Sequence, residues 1–178
     1  MVYFLLADGF EEAEAVLPFD VLCRAGVEIR LAGADSLDVK CKHGIVFHCD
    51  MLIRDVSVSA GDMIVLPGGI PGVPNLDRAE GFDALLRTAC SAGAYIAAIC
   101  AAPTLLGKRG LLKGKKAISY PGTEGELSGA EICDCKVVRD GNIITSKAAG
   151  TATDFGLELV KVLKGEEVSD KVRASVCY

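Results

Sequence analysis

Between Tyr95 and Gly107 the chain reads Tyr-Ile-Ala-Ala-Ile-Cys-Ala-Ala-Pro-Thr-Leu-Leu-Gly, an apolar strand that passes almost directly into a helix. Tyr95 to Ile99 has β character, and Pro103 with Leu105 and Leu106 opens an amphipathic helical turn. So tight a junction needs small residues around it, which Ala98, Ala101 and Ala102 supply. Cys100 stands at the hinge. This is the steric logic of a nucleophile elbow, a device that belongs to strand-to-helix turns of α/β sheets. Proline at the first helical position forfeits no hydrogen bond, and the free N–H groups and dipole of a helix start favour an anion. Cys100 is therefore expected to be an acidic, reactive thiol. The competing reading is a buried cysteine serving as a small hydrophobe at a strand end; the flanking pattern favours the nucleophile.

The rest of the chain alternates strands with helices. Val2 to Leu6 reads as a strand, Glu11 to Ala25 as a helix stopped by Gly26, and Val27 to Ala32 as a second strand. Pro18 falls inside that helical pattern and predicts a kink or restart. Val39 to Cys41 and Ile45 to Cys49, joined around His43-Gly44, predict a hairpin off the main sheet. Met63 to Leu66 forms a third core strand ending in Pro67-Gly68-Gly69. Phe82, Leu85, Leu86 and Ala89 recur at helical spacing up to Gly93. Ala117 to Tyr120 reads as a further strand, and Val137 to Arg139 pairs with Asn142 to Ser146 across Asp140-Gly141. Thr151 caps a last helix bearing Phe155, Leu159, Val162 and Leu163. Such alternation predicts one α/β domain over residues 1–178, a mostly parallel sheet with helices on both faces and its site at the carboxyl ends of the strands.

Composition narrows the partners. The 178 residues are 51% hydrophobic and 24% charged, enough for one sizeable core, and the net charge of -5 argues against nucleic acid or anionic membranes. No segment is long enough to span a bilayer, and the start of the chain lacks the pattern of a signal peptide. Eight cysteines without a secretory signal read as reduced thiols of a cytoplasmic protein. Cys133 and Cys135 lack zinc-site spacing and are expected on one face of a strand as ordinary thiols. No metal or cofactor is called for.

Four loops should meet at the carboxyl edge: Asp8 to Glu14, Pro67 to Gly72, Cys100-Ala101 and Tyr120 to Gly122. Glu11 and Glu12 read as a solvated acidic first turn. Glu14, between Ala13 and Ala15, can instead turn inward, where desolvation would keep it protonated beside the thiol and able to move protons. The glycine pair is by default a tight turn, but beside a nucleophile its N–H groups can join that of Ala101 as an oxyanion hole. The two histidines, His43 and His48, fall in the side hairpin, expected away from this edge on the surface or at a subunit contact.

Ala-Ala-Ile-Cys-Ala-Ala-Pro, Val-Leu-Pro-Gly-Gly, the run from Glu11 to Gly26 and the run from Thr145 to Glu158 together resemble the ThiJ/PfpI superfamily, specifically its DJ-one branch. The resemblance spans essentially the whole chain. It implies a flavodoxin-like α/β sandwich and a homodimer, with Cys100 as nucleophile, Glu14 as its buried carboxylic partner, and Gly69 and Ala101 as backbone N–H donors. Many members carry histidine where Tyr120 stands, so imidazole help is missing here, and Tyr120 becomes a candidate hydrogen-bond donor to sulfur or substrate. Peptidase-like members place histidine straight after the nucleophile; position 101 is alanine, which counts against a protease or amidase.

Two functions use this inventory. The first is a cofactor-independent glyoxalase, converting methylglyoxal to lactate, or a related deglycase acting on glycated substrates, with a Cys100 hemithioacetal and Glu14 as proton shuttle. The second is a redox-sensing or chaperone-like stress protein in which Glu14 hydrogen-bonds an oxidised Cys100. A thiazole-phosphate biosynthetic role finds no phosphate motif.

Overall fold

The computed structural model describes all 178 residues. In chain order the elements are β1 (Val2–Leu6), α1 (Glu12–Arg24), β2 (Ile29–Gly33), β3 (Asp38–Lys40), β4 (Val46–His48), β5 (Met51–Leu52), β6 (Met63–Leu66), α2 (Gly72–Arg78), α3 (Phe82–Ala92), β7 (Tyr95–Ile99), α4 (Pro103–Lys108), β8 (Lys116–Ala117), β9 (Glu131–Ile132), β10 (Val137–Asp140), β11 (Ile143–Ser146), α5 (Ala152–Lys164) and α6 (Glu166–Ser175). Seven strands form the main sheet in the order β10-β11-β7-β6-β1-β2-β5. Every neighbour is parallel except the β10–β11 hairpin. The mostly parallel sheet is the one expected from the alternation, in the flavodoxin-like arrangement that the resemblance implies.

Strand alternation sorts the core into two layers. Leu5, Ile64, Leu66, Ile96 and Ala98 face one way, onto Leu76 of α2, Phe82, Leu85 and Leu86 of α3, and Leu105 and Leu106 of α4. Phe4, Leu6, Met63, Val65, Ala97 and Ile99 face the other way, onto Val21 and Leu22 of α1, Phe155, Leu159 and Val160 of α5, and Val172 of α6. The strands read as unbroken apolar runs because both faces are covered.

Several boundaries depart from the sequence reading. α1 runs through Pro18 without a break, with the proline buried on its inner side. α5 packs closely there: a Cβ on Gly156 would lie 2.9 Å from Pro18 Cα. The strand expected at Ala117 to Tyr120 shortens to β8, which leaves the main sheet and pairs with β9. Cys133 and Cys135 lie in the connection between β9 and β10, so no strand aligns them on one face. Thr151 precedes α5 without capping it; its hydroxyl is taken by Ser146 and Ala148. α2 and the closing α6 carry too little apolar periodicity to have been read. The β3–β4 hairpin stands off the main sheet as expected, in the register Val39↔Phe47.

β7, β6 and β1 are adjacent, so the loops that leave their carboxyl ends are neighbours too. Those loops carry Cys100, Gly68-Gly69 and the approach to Glu14.

Candidate active site

Cys100 follows the last residue of β7 and adopts φ 64°, one of only two non-glycine residues in the chain with positive φ. The left-handed region costs an L-residue about 1 kcal/mol or more, and such a conformation persists only when its surroundings over-determine it. Here they do. The Cys100 N–H donates to Ser146 O at 2.9 Å, and its carbonyl accepts from Tyr120 N–H at 2.7 Å. Thr104 Oγ1 donates to Ala101 O at 2.7 Å and fixes the next peptide. The elbow read from the alanines is thus present, and the thiol is carried half-buried at the sheet edge.

Glu14 lies in the first turn of α1 and is 1% exposed. Its Oε2 accepts the Gly68 N–H at 2.9 Å. Gly68 is required there: a Cβ would sit 2.6 Å from Glu14 Oε2 and 2.7 Å from Cys100 Cβ. The carboxyl and the thiol therefore meet over a bare Cα. Gly69 continues the loop at φ +97°, where an added Cβ would strike the backbone of Gly9 and Phe10.

The protonation of this pair is cooperative. Burial pushes Glu14 above the ordinary carboxylate range, against the hydrogen bonds from Cys100 and Gly68 that favour its charge. Burial, then the charge of Glu14 and its hydrogen bond, push the Cys100 thiol up to about 12, while the N–H groups of Ala101 and Gly69 act the other way. The expectation that the helix start and its free N–H groups would hold Cys100 below the ordinary thiol range is not met, because burial and the charge of Glu14 outweigh them. Double ionisation of two buried groups in contact is what the pair avoids. Charge on either group disfavours charge on the other, so the two titrate as a coupled pair and the reactivity of Cys100 depends on where their proton lies.

The glycine pair divides its work. Gly68 N–H is spent on Glu14, and Gly69 N–H, with Ala101 N–H, bears on the sulfur. Tyr120 is brought to the elbow by its backbone N–H alone; its ring is 49% exposed and its hydroxyl makes no hydrogen bond.

The hairpin corrects the sequence reading most. Its tip lies against the β1–α1 loop rather than away from the edge: Lys42 N–H donates to Phe10 O at 2.8 Å, and Gly9 N–H to Lys40 O at 2.8 Å. Lys42 Nζ reaches Glu11 Oε2 at 3.2 Å, and His43 Nδ1 meets Glu12 Oε1 at 2.6 Å. Glu12 is held low, since hydrogen bonds from its own backbone, Cys41 and His43 outweigh its burial. Glu11 and Glu12 are thus paired, not simply solvated. Glu11, Glu12 and His43 hold donor atoms within 4.8 Å of one another, but each carboxylate already has its cationic or imidazole partner. His48 pairs with Asp38 at 2.7 Å on the exposed flank of the hairpin. Lys42 was missed in the sequence because nothing local ties position 42 to Glu11. No helix of the chain is long and apolar enough to cross a membrane.

The chain is similar to known proteins over nearly its whole length. The chain is 39% identical over 171 residues to Protein dj-1beta of Drosophila melanogaster, covering 94% of this chain and 91% of that protein. The crystal structure of Drosophila melanogaster DJ-1beta superimposes with a TM-score of 0.90 at 36% identity, over 99% of this chain and 96% of that one. A glutathione-independent glyoxalase of Caenorhabditis elegans is 35% identical over 94% of this chain and 90% of its own length. A deglycase of Pyrococcus horikoshii is 34% identical over 92% and 99% respectively. The model of the DJ-1/PfpI family matches residues 1–162, and with the elbow and its carboxylic partner in place the chain belongs to that family.

Proposed function

We propose that this protein is a cysteine-dependent, cofactor-independent enzyme acting on small reactive carbonyls, with methylglyoxal and glyoxal as its substrate class. The observation that carries the reading is the buried carboxyl of Glu14 set against the strained Cys100 over Gly68. Relatives named glyoxalase and deglycase support the same chemistry. In the first step the thiolate attacks the aldehyde carbon, a C–S bond forms, and the carbonyl π pair becomes an oxyanion that the Gly69 and Ala101 N–H groups stabilise. The oxyanion takes the proton of Glu14. The carboxylate then removes the hydrogen from the former aldehyde carbon while the proton of the new hydroxyl passes to the neighbouring ketone oxygen, giving an enediolate that collapses to the thioester carbonyl as Glu14 returns the hydrogen to the neighbouring carbon. One carbon is thereby oxidised to a thioester and the other reduced to an alcohol, with no external electron acceptor. Water cleaves the thioester, releasing a hydroxy acid and restoring the thiol. Glycated thiols, amines or nucleotides would enter the same site as carbonyl adducts.

The reading further takes residues 1–178 as one domain working as a homodimer in a reducing, cytoplasmic setting, where all eight cysteines are free. An uncovered apolar surface supports the dimer. Val16 and Leu17 of α1 and Ile45 and Val46 of the hairpin are exposed. Val16 also lines a groove of about 230 Å³ whose lining is wholly apolar, among it Phe4, Phe19 and Phe47.

The test is formation of lactate from methylglyoxal by purified protein, beside Cys100→Ser. Lactate formed by the wild type and lost in the variant is the expected result. No turnover by either, together with a sulfinate on Cys100 that mass spectrometry detects after mild peroxide, would instead favour a redox-sensing role.

A further inference from the structure

α2 and α4 each follow one of the two loops whose N–H groups bear on the sulfur. Val73 N–H of α2 donates to Gly69 O at 2.9 Å, and Thr104 N–H of α4 donates to Ala101 O at 3.1 Å. Both donor residues are thus bonded to the first turns of these helices. The helices are short, seven and six residues, and neither has a side-chain cap. Helices of that length are marginal alone and take their place from what they are fastened to. At their far ends one ion pair joins them. Arg109, which closes α4, donates from Nη2 to Asp77 Oδ1 of α2 at 2.7 Å, and Lys108 pairs with the other oxygen of that carboxylate. The same guanidinium donates from Nη1 to Leu105 O at 3.1 Å and from Nε to Asp83 Oδ1 of α3 at 2.6 Å, and it lies 5.1 Å from the centre of the Phe82 ring. Asp77 and Arg109 are each 18% exposed, and no other ion pair of the chain covers both side chains so far.

We propose that Asp77 and Arg109 form a positioning clip for the oxyanion hole: by locking the far ends of α2 and α4 together, they fix the spacing of the Gly69 and Ala101 N–H groups at the near ends. Neither side chain touches substrate. At 1.5 Å per residue each helix is a rod of about 10 Å, so a tilt at the clip is passed on to the first turn. Oxyanion donors act only from the right place, and a misplacement of about 1 Å is enough to weaken them. The apolar contacts of Leu76, Leu105 and Leu106 hold both helices on the sheet, but such contacts are non-directional, whereas a charged fork sets an orientation. Hydrogen bonds from Lys108 and Arg109 outweigh the burial of Asp77 and hold it below the usual carboxylate range, so the clip stays ionised at neutral pH.

This inference rests on the carbonyl chemistry proposed above, so its test pairs turnover with a readout that needs no substrate. Lactate formation from methylglyoxal by Arg109→Met and by Asp77→Asn, which keeps the side chain's shape should the first variant fail to fold, would be compared with wild type. Each folded variant should lose roughly ten-fold in kcat at a nearly unchanged KM, because the hole acts on the transition state. Asp77→Glu should restore most of that loss. Arg109→Lys should not, since one ammonium cannot serve Asp77, Asp83 and the Leu105 carbonyl together. The substrate-free readout is amide hydrogen exchange by NMR at Gly68 and Cys100, the residues just before the two donors, whose N–H groups are bonded to Glu14 Oε2 and Ser146 O. Exchange at both should quicken in Arg109→Met and Asp77→Asn and not in Asp77→Glu. A clip that only stabilises the fold would lower the melting temperature and leave kcat and these two amides as in wild type, and that result would overturn the inference. No lactate from wild type would overturn the proposed activity instead, and the exchange rates would still decide the clip.

Discussion

At the scale of single residues, the site is a contest between a buried acid and a buried thiol, and substitution at Glu14 should split two properties that usually move together. In Glu14→Gln the amide keeps a hydrogen-bond donor facing the sulfur but removes the carboxylate charge, which is a main cause of the raised Cys100 pKa after burial. Alkylation of Cys100 at neutral pH should therefore speed up by roughly ten-fold, while carbonyl turnover falls steeply for want of a proton carrier. Parallel losses in both assays would show that Glu14 orients the sulfur rather than moving protons. The same substitution carries a stability signature. Because the folded-state pKa of Glu14 lies above its unfolded value, its favourable contribution is complete below the unfolded carboxylate range and is lost as pH rises through the folded value. Wild type should thus weaken relative to Glu14→Gln as pH rises above the ordinary carboxylate range in urea titrations at stepped pH. The elbow makes a second residue-scale prediction: Cys100→Gly should be more stable than Cys100→Ala by about 1 kcal/mol, since φ 64° suits glycine and strains alanine. Glu14, Cys100, Gly69 and Ala101 were legible in the sequence because small neighbours and glycines announce close approach. Lys42 and the pairing of His43 were not, because a contact across 31 positions of sequence leaves no local pattern.

At the scale of elements, what the sequence foretold was periodicity, and what it hid was pairing. β1, β6, β7, α3 and α5 were readable because apolar residues recur at the strand or helix period and both core layers demand it. α6 was not: Ser169 and Val172 are the only buried residues it contributes, so it looks like a polar tail. Pro18 predicted a break that does not occur, since packing against α5 outweighs the loss of one hydrogen bond. The loss of the strand at Ala117 to Tyr120 matters most for function. With β8 paired only to β9, Tyr120 belongs to a turn that grips the elbow by its backbone and leaves the phenol in solvent. Tyr120→Phe should accordingly change carbonyl turnover less than two-fold, because no hydrogen bond of the hydroxyl is lost. A larger loss of kcat at an unchanged KM would mean that substrate binding draws the ring inward and gives the hydroxyl a part in the chemistry.

At the scale of the whole molecule, the hairpin has two faces, and they do different work. Its tip pairs Lys42 and His43 with the acidic start of α1, while Phe47 shares an apolar groove with Ala15, Val16 and Phe19 of that same helix. A dimer formed through this surface would therefore bear on α1 and on the hairpin packed against it. Val16 and Leu17 are 42% and 41% exposed, so a charge placed on them is well tolerated in an isolated subunit and costly only where a second copy covers it. Leu17→Glu should shift sedimentation from dimer to monomer with little change in helical circular dichroism. If covering this surface holds the hairpin against α1, the monomeric variant should also alkylate Cys100 at a rate different from wild type at neutral pH. A monomeric wild type would remove the dimer, and a monomeric Leu17→Glu whose thiol reacts at the wild-type rate would show that α1 alone is enough to hold the hairpin in place.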